Sequence, residues 1–362
     1  MFLKREISIS EALELRNAVF IDLRSESEYK EATIPGAINL PIFSDHERSQ
    51  IGLTYRKTSP AEARLLGLDI VAPKLPFLIR TLGELARKQP VIIFCWRGGQ
   101  RSLSIAAVCQ LMGIPVLRLN GGYKAFRKQV FTYLWEMQTE RRCVVLHGLT
   151  GVGKTDFIQL LKQRGIAALD IEQLACNRGS VFGGINMPEA PSQKNFEGRL
   201  AMELWSMQSS SYYVVECESR KIGKLTLPPL INNGMKTALR ILLFDPNLDR
   251  RAERLVSQYV SSETNNNSQL LWAISQLSER LGTKLTEDLK NHVRLEQYPD
   301  CAKKLLIHYY DPLYGYPDQP DSQYDLCLES SDYEAGIERI IEFLDKNAAT
   351  AVPWEKKEGP SA

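Results

Sequence analysis

The stretch CVVLHGLTGVGKTDFIQLL, residues 143–161, sets a glycine-rich loop between a short apolar, β-branched run and a helical pattern. Residues Gly148 to Thr155 satisfy GxxxxGK[ST], and the strand before and helix after supply the context that gives such a match its meaning. Loop N–H groups around Gly148, Gly151 and Gly153 are expected to wrap phosphate oxygens. Lys154 would neutralise their charge, and Thr155 is placed to ligate Mg²⁺. A chain built around this P-loop needs a parallel sheet with crossover helices.

The rest of the sequence keeps that rhythm. Short apolar runs at 18–23, 91–95, 116–120, 143–147, 212–216, 239–244 and 324–328 alternate with helical spacing at 101–112, 154–164, 194–209, 248–260, 299–309 and 332–346. The fold class expected is α/β with two doubly wound domains, since 362 residues exceed one ordinary core. The expected division is 1–138, then 139–348 with helical insertions. The polar, Pro- and Gly-containing stretch 349–362 reads as a disordered tail.

A second strand–loop–helix unit, VIIFCWRGGQRS, carries Cys95 at the end of a buried strand. Loop amides and the following helix N-terminus favour an anion there, which in a cysteine is the thiolate. Arg97 and Arg101 add positive charge, and Gly98 and Gly99 let the backbone curl into a cradle.

Other chemistry-bearing residues gather around the P-loop. Asp170 and Glu216 end strands of the second domain, and Glu218 follows closely; each is a candidate acid or holder of a metal-bound water, with helix capping as the plain alternative for Asp170 and Glu218. Arg178 and Ser180 in NRGSVFGGI, Arg220 in SRKIG, and Arg250 and Arg254, four apart on one helix face, are candidate contacts to the phosphate or ribose of a substrate or an RNA. A solvated basic face is the competing reading of the last two.

The formal net charge of +2 gives no global field for a nucleic acid, so any RNA contact rests on local clusters. Seven singly scattered cysteines suggest neither a disulfide framework nor a zinc site, and fit a reducing cytoplasm. No run is long and apolar enough for a membrane span, and no tightly bound cofactor is expected.

Three segments in order, IDLRSESEYKEATIPGAINLP (21–41), the Cys95 loop and LNGGYKAF (119–126), resemble the signatures of the rhodanese domain. Rhodaneses carry sulfur or selenium on the loop cysteine. Asp22, Arg24 and Glu28 match early positions that hold that fold together. The spacing Cys95 to Arg101 equals that of cysteine-dependent phosphatases, although Phe94 stands where those enzymes usually have His.

Together with GLTGVGKT, RGSVFG, SQKNFE, ESRKIG and DPLY, the order of motifs over residues 8–345 closely resembles the bacterial tRNA 2-selenouridine synthase family. The resemblance implies a transferase that replaces the sulfur of wobble 2-thiouridine in tRNA with selenium. It would use selenophosphate and pass through an S-geranyl intermediate made from geranyl diphosphate. Cys95 would handle selenium and the P-loop the prenyl diphosphate. The insertion 46–70 would build part of the prenyl or tRNA site, or serve domain packing. The competing reading is a nucleotide-dependent kinase or ATPase with a sulfur- or redox-sensing rhodanese domain; a third is a non-enzymatic tRNA-binding module.

Overall fold

The computed structural model describes residues 6–137, 141–217, 219–260 and 266–348, so Glu218 and the expected tail 349–362 lie outside the described residues. The chain divides into two compact units. The first is Met1–Tyr133 with Ser192–Ala201, and the second is Leu134–Pro191 with Met202–Ala362.

In the first unit, strands β1 (Glu6–Ile7), β2 (Val19–Asp22), β3 (Ile38–Asn39), β4 (Val91–Phe94) and β5 (Val116–Leu119) form one parallel sheet in the order β1-β5-β4-β2-β3. All four residues of β4, Val-Ile-Ile-Phe, are buried, as a parallel strand covered on both faces requires. Ile21 and Ile93 pack with Leu78, Leu82 and Ile105 from helices Leu75–Ala86 and Gln100–Leu111. The insertion forms two helices, Asp45–Lys57 and Pro60–Val71, each opened by a serine cap: Ser44 Oγ accepts from Glu47 N and Ser59 Oγ from Glu62 N.

The segment SQKNFE, far along the chain, packs into this first unit. Ser192 Oγ donates to the Glu31 carbonyl at 2.6 Å, Thr33 N donates to Asn195 Oδ1 at 3.0 Å, and Lys194 pairs with Glu31 at 2.6 Å.

In the second unit, β6 (Arg142–His147), β7 (Ala168–Leu169), β8 (Tyr212–Glu216), β11 (Leu239–Phe244) and β12 (Leu326–Glu329) form a parallel sheet in the order β12-β11-β6-β8-β7. A hairpin of β9 (Lys221–Ile222) and β10 (Leu225–Thr226) stands apart. From β6 the chain turns to one side for β7 and β8, and later to the other for β11. That reversal opens a crevice at the carboxyl end of β6, where α/β proteins bind ligands. Helices Leu248–Tyr259, Asn267–Ser275, Ser278–Arg294 and Tyr298–Leu305 share a separate apolar core with Phe182 and Ile185. Both units are thus doubly wound α/β. Among the described residues no helix is long and apolar enough to cross a membrane.

Candidate functional site

Cys95 follows the last residue of β4 and is 3% exposed. Its Sγ lies 3.3 Å from Ser102 Oγ, and the thiol points toward the Gly99 carbonyl at 3.9 Å. The segment LNGGYK props the loop from behind: Tyr123 N donates to the Cys95 carbonyl and Lys124 N to the Trp96 carbonyl, each at 2.9 Å. Gly122 has φ +57°, and a Cβ there would collide with the Cys95 carbonyl, so only glycine permits this approach. Gly98 adopts φ +64°, and Gly99 caps the helix Gln100–Leu111.

The two loop arginines differ. Arg97 is exposed and has no hydrogen-bond or ion-pair partner among the described residues. Arg101 is instead turned to Glu28 at 2.8 Å, and Arg48 reaches the same carboxylate at 2.9 Å. Burial alone would raise the Glu28 carboxyl, but the hydrogen bond and charge of Arg101, with the charge of Arg48, together hold it below its ordinary value. Asp22 and Arg24 form a buried pair at 2.6 Å, and the Arg24 guanidinium sits 4.3 Å from the Tyr123 ring centre. Trp96, Arg24, Glu28, Arg48, Arg101 and Tyr123 line a pocket beside the loop, with Lys194 at its edge.

At the other site, β6 delivers the P-loop and the helix Lys154–Gln163 follows it, with Gly153 as its cap. Gly151 has φ +80°, and a Cβ there would stand 2.6 Å from the Arg251 carbonyl oxygen. Lys154 Nζ donates to the Gly148 carbonyl at 2.8 Å and the Leu149 carbonyl at 3.2 Å, so its ammonium caps the loop itself. Outside the loop, Arg251 Nε donates to the Thr150 carbonyl at 2.9 Å and Arg254 Nη1 to the Gly151 carbonyl at 3.0 Å. In trans peptides the following N–H groups, of Gly151 and Val152, point the opposite way.

This placement assigns Arg250 and Arg254 differently from a substrate-facing pair. Arg250 pairs with buried Asp245 at 2.6 Å, and Arg254 meets Asp245 at 2.9 Å and the Ser330 carbonyl at 2.8 Å. Arg254 braces the loop through the Gly151 carbonyl, and Arg250 shares Asp245 with it. Arg251, absent from the expected set, is buried and also pairs with Asp311 of the DPLY motif through Nη1 at 3.1 Å.

The P-loop pocket brings together Gly148, Gly151, Gly153, Lys154 and Thr155 with Arg178, Ser180 and Glu216 from the expected set, and adds Glu172, Cys217, Tyr314 and Tyr316. Glu216 is 1% exposed; Thr155 Oγ1 donates to its Oε2 at 3.2 Å, whereas Oε1 is buried without a hydrogen-bond partner among the described residues. Burial first, then the charges of Glu172 and Asp170, raise its carboxyl well above the ordinary value, against the pull of Lys154. Asp170 caps the helix Ile171–Ala175 by accepting from Gln173 N at 2.7 Å, and also accepts from Gln159. Arg220 is exposed, and its carbonyl accepts from Leu227 N at 3.0 Å. Among the described residues no group of three or more His, Cys, Asp or Glu side chains could hold a metal ion by itself.

Two features escaped the sequence reading. His147, the last residue of β6, stands edge-on to Tyr316 and Tyr324, each 5.5 Å away, and its Nδ1 is buried without a hydrogen-bond partner among the described residues. Burial, with the charges of Arg240 and Lys154, pushes its imidazole down to about 4. The second is an apolar cavity among the helices of the second unit, lined by Phe182, Val256, Leu270, Ile274, Val293 and Ala302. Leu255, Tyr259 and Tyr310 line both this cavity and the P-loop pocket. The loop 177–185 also serves both: Arg178 and Ser180 line the P-loop pocket and Phe182 the apolar cavity.

Residues 141–349 match the family described as the tRNA 2-selenouridine synthase AAA domain, and residues 8–129 match the rhodanese-like domain. The chain belongs to the tRNA 2-selenouridine synthase family. Proteins named tRNA 2-selenouridine synthase from Psychromonas ingrahamii and Shewanella oneidensis are 31% and 32% identical to it. The first alignment covers 86% of this chain and 91% of the relative, the second 82% and 85%. A third, from Shewanella halifaxensis, is 30% identical over 87% of this chain and 92% of its own length. The chain is therefore an enzyme of the tRNA 2-selenouridine synthase type, with the rhodanese and P-loop elements that the family combines.

Proposed function

We propose that this enzyme acts on tRNA, converting wobble 2-thiouridine to 2-selenouridine with selenophosphate, through an S-geranyl intermediate drawn from geranyl diphosphate. The observation that carries the finer reading is the junction of a phosphate cradle with an apolar cavity through Leu255, Tyr259 and Tyr310. A nucleotide has no use for such a cavity. An amphiphile with a diphosphate head and a hydrocarbon tail fits both halves, since phosphate cradles take the head and apolar surface the tail.

In this reading the loop N–H groups and Lys154 hold the diphosphate, and Thr155 supplies a hydroxyl ligand for Mg²⁺ bound with it. As the 2-thio sulfur forms its bond to the allylic carbon, the carbon–oxygen bond breaks and pyrophosphate leaves with the electron pair. Preorganised donors at the place where that charge develops lower the barrier. Alkylation turns a poor sulfide leaving group into a thiol: the selenium of selenophosphate attacks C2, geranyl thiol leaves with the carbon–sulfur electron pair, and water takes the phosphoryl group so that selenium stays on C2. Cys95 with the unpaired Arg97 forms the cradle for the selenium donor.

Incubation with 2-thiouridine tRNA, geranyl diphosphate and selenophosphate, followed by nucleoside mass spectrometry, should yield geranylated and selenated uridines. Neither product would reject the reading. The hydrogen bond between Thr155 and Glu216 would equally suit a nucleotide-dependent kinase or ATPase. That alternative predicts ATP turnover that is lost in Lys154→Ala and indifferent to Cys95→Ala.

A further inference from the structure

Trp96 directly follows Cys95, and its indole is 38% exposed, unlike the buried strand residues before it. Its backbone is pinned, since Lys124 N donates to the Trp96 carbonyl at 2.9 Å. Its ring is backed by Tyr123, with ring centres 5.6 Å apart, and by the Arg24 guanidinium, 5.8 Å from the indole centre. Both supports are 1% exposed, so the indole is a fixed aromatic surface that solvent still reaches. The reaction at Cys95 gives it no task.

Trp96 lines the pocket beside the loop, a space of about 260 Å³. Drug-sized ligands occupy roughly 300–1,000 Å³, so this pocket has room for one nucleotide unit rather than a run of them. Its charge is positive. Arg48 and Arg101 share the single carboxylate of Glu28, Lys194 is matched by Glu31, and buried Arg24 by Asp22. One guanidinium charge is left over among these side chains, and Arg48, 51% exposed, is the cation most open to solvent. An aromatic surface beside a surplus positive charge takes a base together with its phosphate: bases of any sequence stack on such rings, and arginine answers the phosphate.

We propose that this pocket is the docking site of one nucleotide of the tRNA substrate, its base turned out of the RNA stack onto Trp96 and its phosphate held by Arg48 and Arg101. Enzymes that work on a base in structured RNA need it unstacked, and Trp96 holds it next to the cysteine. The assignment rests on tRNA being the substrate, and it adds which surface of the first unit receives it. A free nucleotide offers the same chemistry and is separated by experiment.

The test is fluorescence anisotropy of a labelled RNA hairpin, the size of an anticodon arm with one 2-thiouridine in its loop, titrated with the full chain over a range of salt concentrations. A blunt RNA duplex titrated in the same way reports contacts that need no unstacked base. Trp96→Leu should weaken hairpin binding about tenfold and leave duplex binding within about twofold, while Trp96→Phe, which keeps a ring, should hold the hairpin within about threefold. Arg48→Ala should also weaken the hairpin, and should lower the slope of log affinity against log salt by about 0.7. Hairpin affinity unchanged in Trp96→Leu or in Arg48→Ala, or hairpin and duplex weakened by the same factor, overturns the proposal. So does displacement of the hairpin by an equimolar amount of uridine monophosphate, which would assign the pocket to a free nucleotide. The expected binding pattern with no geranylated or selenated nucleoside would reject the proposed reaction and leave the pocket standing.

Discussion

Thr155 Oγ1 donates to Glu216 Oε2 at 3.2 Å, while the other Glu216 oxygen is buried with no hydrogen-bond partner among the described residues. The last side chain of β8 therefore meets the P-loop with one oxygen satisfied and one in reserve. An orphaned buried acceptor is costly, and it marks a place where a proton, a cation or a ligand is accommodated.

Glu216 accordingly makes folding sensitive to pH. Its carboxyl is raised above the unfolded value, so its contribution to stability is fully present below about pH 4.5 and is lost as pH rises through the folded value. Glu216→Gln, which cannot ionise, should melt at a higher temperature than the unsubstituted protein at pH 8. The gap should close near pH 4, as read by thermal unfolding at both values.

His147 has the opposite sign. Its imidazole is pushed down to about 4, so neutral His147 costs nothing above pH 6.5 and stability is lost as pH falls toward 4. The loss attributable to this residue is roughly 3 kcal/mol at most. Urea unfolding at pH 7 and pH 4 should show a shallower acid decline for His147→Phe.

Lys154→Ala should separate the two sites. Removing the ammonium that caps the Gly148 and Leu149 carbonyls should cost the diphosphate-dependent step about 10²–10³-fold. Alkylation of Cys95 at pH 7 should not change. Geranylated nucleoside yield and Cys95 peptide labelling, measured on the same preparation, check both halves.

Ala302 lines the apolar cavity but not the phosphate pocket. In the reaction we propose, Ala302→Phe should therefore raise KM for geranyl diphosphate by about 10–100-fold while inhibition by inorganic pyrophosphate stays the same. Equal weakening of both would place the tail elsewhere.

Both nucleotide-scale loops were legible because each carries a local rule. A buried strand, glycines at forced turns and a helix start leave their mark in a dozen contiguous residues, as in VIIFCWRGG and VVLHGLTGVGK. The strand Leu239–Phe244 was bounded correctly because its apolar run, interrupted only by Arg240, stands between polar ends. The short pairs β1 and β3, two residues each, carry no periodicity and were invisible, whereas β7, equally short, was placed only as the strand that Asp170 ends.

The partners of Arg250 and Arg254 were not legible because helical spacing puts two arginines on one face without saying what faces them. Asp245 and the Gly151 carbonyl, which claim them, come from other parts of the sheet. Arg251, one residue away, gave no signal at all. The apolar cavity was hidden similarly: its walls come from Phe182 and from helices spread over residues 248–310, and each wall alone reads as ordinary core.

The segment Ser192–Ala201 closes the first unit although it is made long after Tyr133. During synthesis the Cys95 unit must wait for those residues before the Glu31 carbonyl and the Thr33 amide find their partners Ser192 and Asn195. A polypeptide stopped near residue 138 would thus be born with part of its surface unfinished, and the order of translation would not be the order in which the two halves mature.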